Sequence, residues 1–170
     1  FLTGVNLRRL VADYGPQSGG RVIHILRGIC ASLEEAHAIG LIHRDIKPAN
    51  VMLCFLGGVC DMVKVLDFGL VTDLCDPHSQ SAVSQVGSLR FSAPEVFSGA
   101  AVDARSDIYS VGAVAYYLLT GEHVFPAKSD ADYRVSVLHH EPQWPSRRCG
   151  REIALDLQEV VMRCLNRDPE

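Results

Sequence analysis

Across residues 21–39 apolar side chains recur at intervals of three and four, at Ile23, Leu26, Ile29, Cys30, Leu33 and Ala36. That period predicts a helix with one buried face, and Gly40 stands where a left-handed C-cap belongs. Before it, Leu7, Leu10 and Val11 suit a brief helix, which Pro16-Gln17-Ser18-Gly19-Gly20 interrupts. Residues 51–55 and 62–66 are apolar, β-branched runs flanking Gly57-Gly58, so they read as a strand pair with the two glycines in its turn. Such a hairpin sets Asn50 just before its first strand and Asp67 just after its second, near one end. Residues 67–95, rich in Ser, Asp and Gly, have weak periodicity and predict a long functional loop. Helices resume over residues 106–119, 130–139 and 152–165. There are no repeats and no low-complexity tracts.

Composition narrows the class. With 48% hydrophobic residues in 170, one domain can build one core. A net charge of -4 argues against a general nucleic-acid surface. Residues 108–121 form the longest uncharged stretch; they are too few to span a bilayer and read as a buried core helix. The six cysteines show no C-x-x-C pair and no zinc-type spacing. They read as packed small hydrophobes in a reducing, cytosolic compartment. The chain opens at Phe1 with neither a starting Met nor a signal peptide, so that edge reads as a cut one.

Chemistry concentrates in three motifs: His43-Arg44-Asp45-Ile46-Lys47-Pro48-Ala49-Asn50, then Asp67-Phe68-Gly69, then Ala93-Pro94-Glu95. Any one tripeptide recurs by chance, and solvated loop residues are the bland alternative. Their order and spacing together resemble the eukaryotic-type serine/threonine protein kinases. The string from Gly40 to Asn50 is most similar to bacterial members. The resemblance implies an α+β fold: a mostly helical C-terminal lobe with a small β-hairpin at the catalytic site. It also implies that residues 1–170 are a partial kinase domain, hinge and C-lobe, without the N-lobe and the last C-lobe helix.

By the resemblance, the reaction is ATP-dependent phosphoryl transfer to Ser/Thr hydroxyls of protein substrates, with ATP and Mg²⁺. Such a transfer needs metal to offset phosphate charge, in-line geometry and a proton acceptor. Asp45 is the candidate base. Asn50 and Asp67 offer hard oxygens for Mg²⁺, and Lys47 can meet the γ-phosphate as a point charge. Lysine at that position also marks Ser/Thr rather than Tyr specificity in the family. Phe1-Leu2-Thr3-Gly4 resembles the hinge, with backbone near Leu2 at the adenine edge, Asn6 near the ribose and Met52 beneath the base. Ordinary packing is the alternative for all three.

Further residues extend the resemblance. Asp107 matches a buried carboxylate that accepts backbone N–H groups of the catalytic loop. His43 and Phe68 are expected to stack and couple that loop to Asp67-Phe68-Gly69; no second ligand at useful spacing supports a metal role for His43. The remaining histidines, His37 and His123 among them, read as surface or packed residues. Arg44 before Asp45 implies control by a loop phosphate. Ser84 best fits the phosphorylated position, with Ser79 and Ser81 as other candidates and Thr72 behind them. Ser88 keeps a hydroxyl for Asp45 and Lys47. Glu95 is expected to lack its arginine partner, which would follow Asp168-Pro169.

Implied partners are Ser/Thr protein substrates and a second kinase copy for loop phosphorylation, with no nucleic acid and no membrane segment in this stretch. A binding or scaffold module without catalysis is the competing class, since the phosphate-anchoring small lobe is not in the sequence. A small-molecule kinase is disfavoured by Ala93-Pro94-Glu95 and the long preceding loop.

Overall fold

The buried face of α2 (Gly19–Ala38) is Val22, Ile25, Ile29, Leu33 and Ala36. The structure, a computed structural model, describes residues 3–68 and 89–168. The helix lies where the apolar period predicts, but its face is turned. Ile23 is 45% exposed and Cys30 is also exposed. Each residue advances about 100° around a helix. Val22 and Ile25 therefore align with Ile29, while Ile23 and Cys30 stand one step round from that line. Leu41 N–H donates to Ala36 O and Gly40 N–H to His37 O, at 3.0 and 2.9 Å, with Gly40 at φ +77°. These two bonds are a Schellman close. It turns the chain off α2 directly into the stretch from His43 to Asn50.

That stretch ends in a 3₁₀ turn, Pro48–Asn50, and enters β2 (Val51–Leu56), which pairs antiparallel with β3 (Val59–Val65). Gly57 and Gly58 make the two-residue turn at φ +59° and +82°, the doubly positive backbone that matches strand twist. A third strand, β1 (Gly4–Asn6), covers the other edge of β2 with Asn6 opposite Met52. Three residues are too few to show a period of two, so the sequence pattern misses β1. Asn6 then caps α1 (Leu7–Tyr14), its side chain accepting Arg9 N–H at 2.8 Å.

Beyond residue 88 the described elements are helical: α3 (Pro94–Ser98), α4 (Ala104–Thr120), α5 (Asp130–His139), α6 (Pro145–Cys149) and α7 (Leu155–Cys164), after a 3₁₀ turn at Leu89–Phe91. α4 is the predicted central helix, buried over most of its surface, and α2, α6 and α7 pack around it. It starts two residues earlier than expected, because Asp103 accepts Arg105 N–H at 2.8 Å and caps it. α5 has the expected bounds, closed by a Ser129–Asp132 capping box. α7 begins at Leu155 rather than residue 152. The short α3 and α6, each opened by a proline, carry too few turns to show a period.

The cysteine expectation needs correction: Cys54 is buried, but Cys30 and Cys60 are exposed, and the described cysteines are all free thiols. Among the described residues no helix is long and apolar enough to cross a membrane.

Candidate active site

Asp45 is held from two sides. Lys47 Nζ stands 2.7 Å from its Oδ2, and Asn50 Nδ2 donates to the same oxygen at 2.9 Å and to Asp45 O at 3.0 Å. The 3₁₀ turn makes this possible: Asn50 N–H donates to Lys47 O at 2.9 Å, folding Asn50 back over the loop. Both partners of the ion pair are largely buried, with 14% and 16% side-chain exposure. A charge-assisted contact in that setting fixes the carboxylate's direction. The amide hydrogens of Asn50 are both taken up by Asp45, which leaves Oδ1 as its acceptor end.

The end of the hairpin brings the other half of the site alongside. Leu66 N–H donates to Asn50 O at 2.8 Å, so Asp67 emerges next to Asn50, as the strand pairing predicts. Asp67 is exposed and adopts φ +61°, and Arg44 adopts φ +64°. Left-handed backbone at a residue other than glycine costs of order 1–3 kcal/mol and persists where surrounding bonds enforce it. Here the enforcing bonds can be named. Asp107, 1% exposed, accepts His43 N–H at Oδ2 and Arg44 N–H at Oδ1, both at 2.9 Å. The buried carboxylate expected of Asp107 is therefore present on the expected donors.

His43, 1% exposed, ties the loop to the hairpin. Its Nε2 lies 3.0 Å from Leu66 O, and Asp45 N–H points at its Nδ1 over 3.3 Å. A carbonyl accepts and an amide donates, so the ring carries its proton on Nε2. Phe68 meets that ring edge-on, with centroids 4.7 Å apart and planes at 62°. The expected coupling of His43 and Phe68 takes this edge form rather than a parallel stack.

Glu95, expected to lack its arginine partner, accepts the Ser106 hydroxyl at Oε1, which joins the start of α3 to the first turn of α4. His37, read as a surface or packed residue, belongs to the site's support, with Nε2 2.8 Å from Asp107 Oδ2. Its signal was weak but present, since it sits in the last turn of the helix that delivers the catalytic loop. Asn6 and Met52 are cross-strand neighbours on β1 and β2, both half-buried. Leu2, Gly69, Ser84 and Ser88, with Thr72, Ser79 and Ser81, lie outside the described residues.

The donor chemistry suits Mg²⁺. Asn50 Oδ1 and the exposed Asp67 carboxylate are hard oxygens at one end of the hairpin. A few protein oxygens completed by phosphate and water is the Mg²⁺ pattern.

The protein kinase domain family matches residues 1–170. The chain belongs to that family. This kinase-domain chain is 37% identical over 174 residues to serine/threonine-protein kinase PknB of Mycobacterium tuberculosis (strain ATCC 25618 / H37Rv), covering 100% of the chain and 27% of that protein. It is 37% identical over 171 residues to PknB of Mycobacterium leprae, at the same coverage. Serine/threonine-protein kinase pkn3 of Myxococcus xanthus is 34% identical over 174 residues, covering 99% of the chain and 32% of the relative. The kinase-domain chain thus spans roughly a third or less of the length of these bacterial relatives.

Proposed function

We propose that the protein transfers the γ-phosphoryl group of ATP to Ser or Thr hydroxyls of protein substrates, in the cytoplasm where ATP is supplied. The observation that carries this reading is the fixed Asp45 carboxylate between Lys47 Nζ and Asn50 Nδ2. Positioning and electrostatics provide nearly all the acceleration in phosphoryl transfer. Asp45 receives the hydroxyl proton as the substrate oxygen bonds to the γ-phosphorus and the bond from that phosphorus to the β,γ-bridging oxygen breaks. Lys47 holds Asp45 and places its positive charge beside the transferred group. Asn50 Oδ1 and Asp67 would hold Mg²⁺, which offsets phosphate charge when bound. Asn6 and Met52 would meet the ribose and the base. The names of the bacterial relatives support Ser/Thr as the acceptor.

The test is transfer of labelled γ-phosphate from ATP to a Ser/Thr substrate by the full-length protein, with and without Mg²⁺. Asp45→Ala should lower kcat by about 10²–10⁴, the usual contribution of a positioned proton acceptor. Chelating Mg²⁺ should abolish transfer. Turnover that survives Asp45→Ala would overturn the reading.

A further inference from the structure

We propose that a cationic cleft beside the Ala93-Pro94-Glu95 stretch selects protein substrates with acidic side chains near the phosphorylated residue. The inference rests on the protein-kinase reading above. The cleft, about 470 Å³, lies between the Leu89–Phe91 turn, the α4–α5 connection and α6, and its lining includes Arg90, Lys128, Arg148, His123 and Glu122. Glu122 is already engaged, its Oε2 2.6 Å from Arg148 Nη2. The cations outnumber that one acid, and the charge of Arg8 on α1 adds to theirs at His123. In a chain of net charge -4 this is a local reversal of sign. A cleft lined by one sign of charge concentrates the opposite sign.

Among the described residues, Arg148 Nε and His123 Nδ1 are buried without a hydrogen-bond partner. Buried polar atoms are rarely left so, and an unpaired donor is costly. A carboxylate entering the cleft would meet the exposed Lys128 and the half-buried Arg90, beside the Arg148–Glu122 pair. Arg90 is anchored along the wall by its Nη2, which donates to Ala127 O at 3.0 Å.

The position of the cleft links it to the substrate. Phe91, next to Arg90, sets its ring 5.9 Å from Tyr117 and 5.1 Å from His123. Gly121 in the lining lies against α1, where an added Cβ would stand 3.9 Å from Val11 Cγ1, and α1 packs on the Pro48–Asn50 turn carrying Asn50. One helix therefore borders both the catalytic loop and the cleft. An extended peptide advances about 3.3 Å per residue, so side chains a few places from the acceptor hydroxyl can enter.

The test compares kcat/KM of the full-length protein for two peptides sharing one acceptor, flanked by Asp/Glu in one and Ala in the other. The acidic peptide should be favoured about fivefold to tenfold, given what partly exposed ion pairs contribute. Lys128→Glu, at an exposed position, should bring the ratio near one; Arg90→Glu should do the same if its lost bond to Ala127 is tolerated. High salt should shrink the preference in the wild type. Equal kcat/KM for both peptides, or a preference intact in Lys128→Glu, overturns the inference. If neither peptide is phosphorylated, the kinase reading fails separately. Fluorescence anisotropy of labelled peptides then decides the cleft: acidic-selective binding lost in Lys128→Glu supports it, and equal binding refutes it.

Discussion

His37 Nε2 stands 2.8 Å from Asp107 Oδ2, the oxygen that also takes the His43 amide at 2.9 Å. One buried carboxylate thus joins the end of α2, the start of the catalytic loop and the first turn of α4. Alanine at Asp107 would orphan three donors, and each unsatisfied buried group costs about 1–3 kcal/mol. Asp107→Ala should therefore lose several kcal/mol in urea unfolding, enough to leave little folded protein. Asp107→Asn keeps one acceptor oxygen and should lose roughly half as much. His37→Ala removes a single donor at the rim and should cost about 1 kcal/mol. A different order among the three variants would show that the network is not what holds Arg44 at positive φ.

Gly28 on α2 decides how closely the hairpin approaches. A Cβ there would lie 2.5 Å from Val63 Cβ and 2.7 Å from its Cγ2. Alanine is about 1 kcal/mol better than glycine inside a helix, yet the clash is with the stiff branch of a β-branched side chain. Overpacking of this kind costs about 1–3 kcal/mol. Gly28→Ala should be net destabilising by chemical denaturation. Trimming the neighbour should reverse this, so the Gly28→Ala/Val63→Ala pair should be more stable than the two single changes add up to. Simple additivity would mean that the helix and β3 move apart at little cost.

The arrangement of the candidate site was legible because its residues are local in sequence or sit at the two ends of one hairpin. Asp45, Lys47 and Asn50 fall within a single turn, and Asp67 is placed by the pairing of Val51 with Val65. Asp107 came from its resemblance to a family helix, and the structure supplies both donors. Less was legible where tertiary packing chose between near-equivalent options. The phase of α2 depended on which flank met β3 and α4, and Ile23 or Val22 would serve the period almost equally. Glu95 was expected to lack a distant arginine; the neighbouring Ser106 hydroxyl that it accepts was not foreseen. His37 and the cleft around Arg90 and Arg148 depend on elements brought together from far along the chain, which no spacing rule reports.

His123 provides a test in pH. It lies against Phe91 and Tyr117, and burial, followed by the charges of Arg90 and Arg8, holds its pKa below the ordinary 6.5. In the unfolded chain the ring titrates near 6.5, so between the folded and unfolded values the unfolded state binds more protons. Stability must then rise with pH across that window. It is complete above about 6.5 and declines as pH falls below 6.5, levelling off under the folded value. His123→Phe removes the titration and keeps an aromatic ring against Phe91. The unfolding free energies of wild type and variant should converge or cross between pH 7.5 and pH 5.5, with the variant gaining on the wild type on the acid side, a direction set by linkage. The difference isolates His123, because every other histidine is common to both proteins. A constant offset between the two curves would mean that the ring is protonated as readily in the fold as in water.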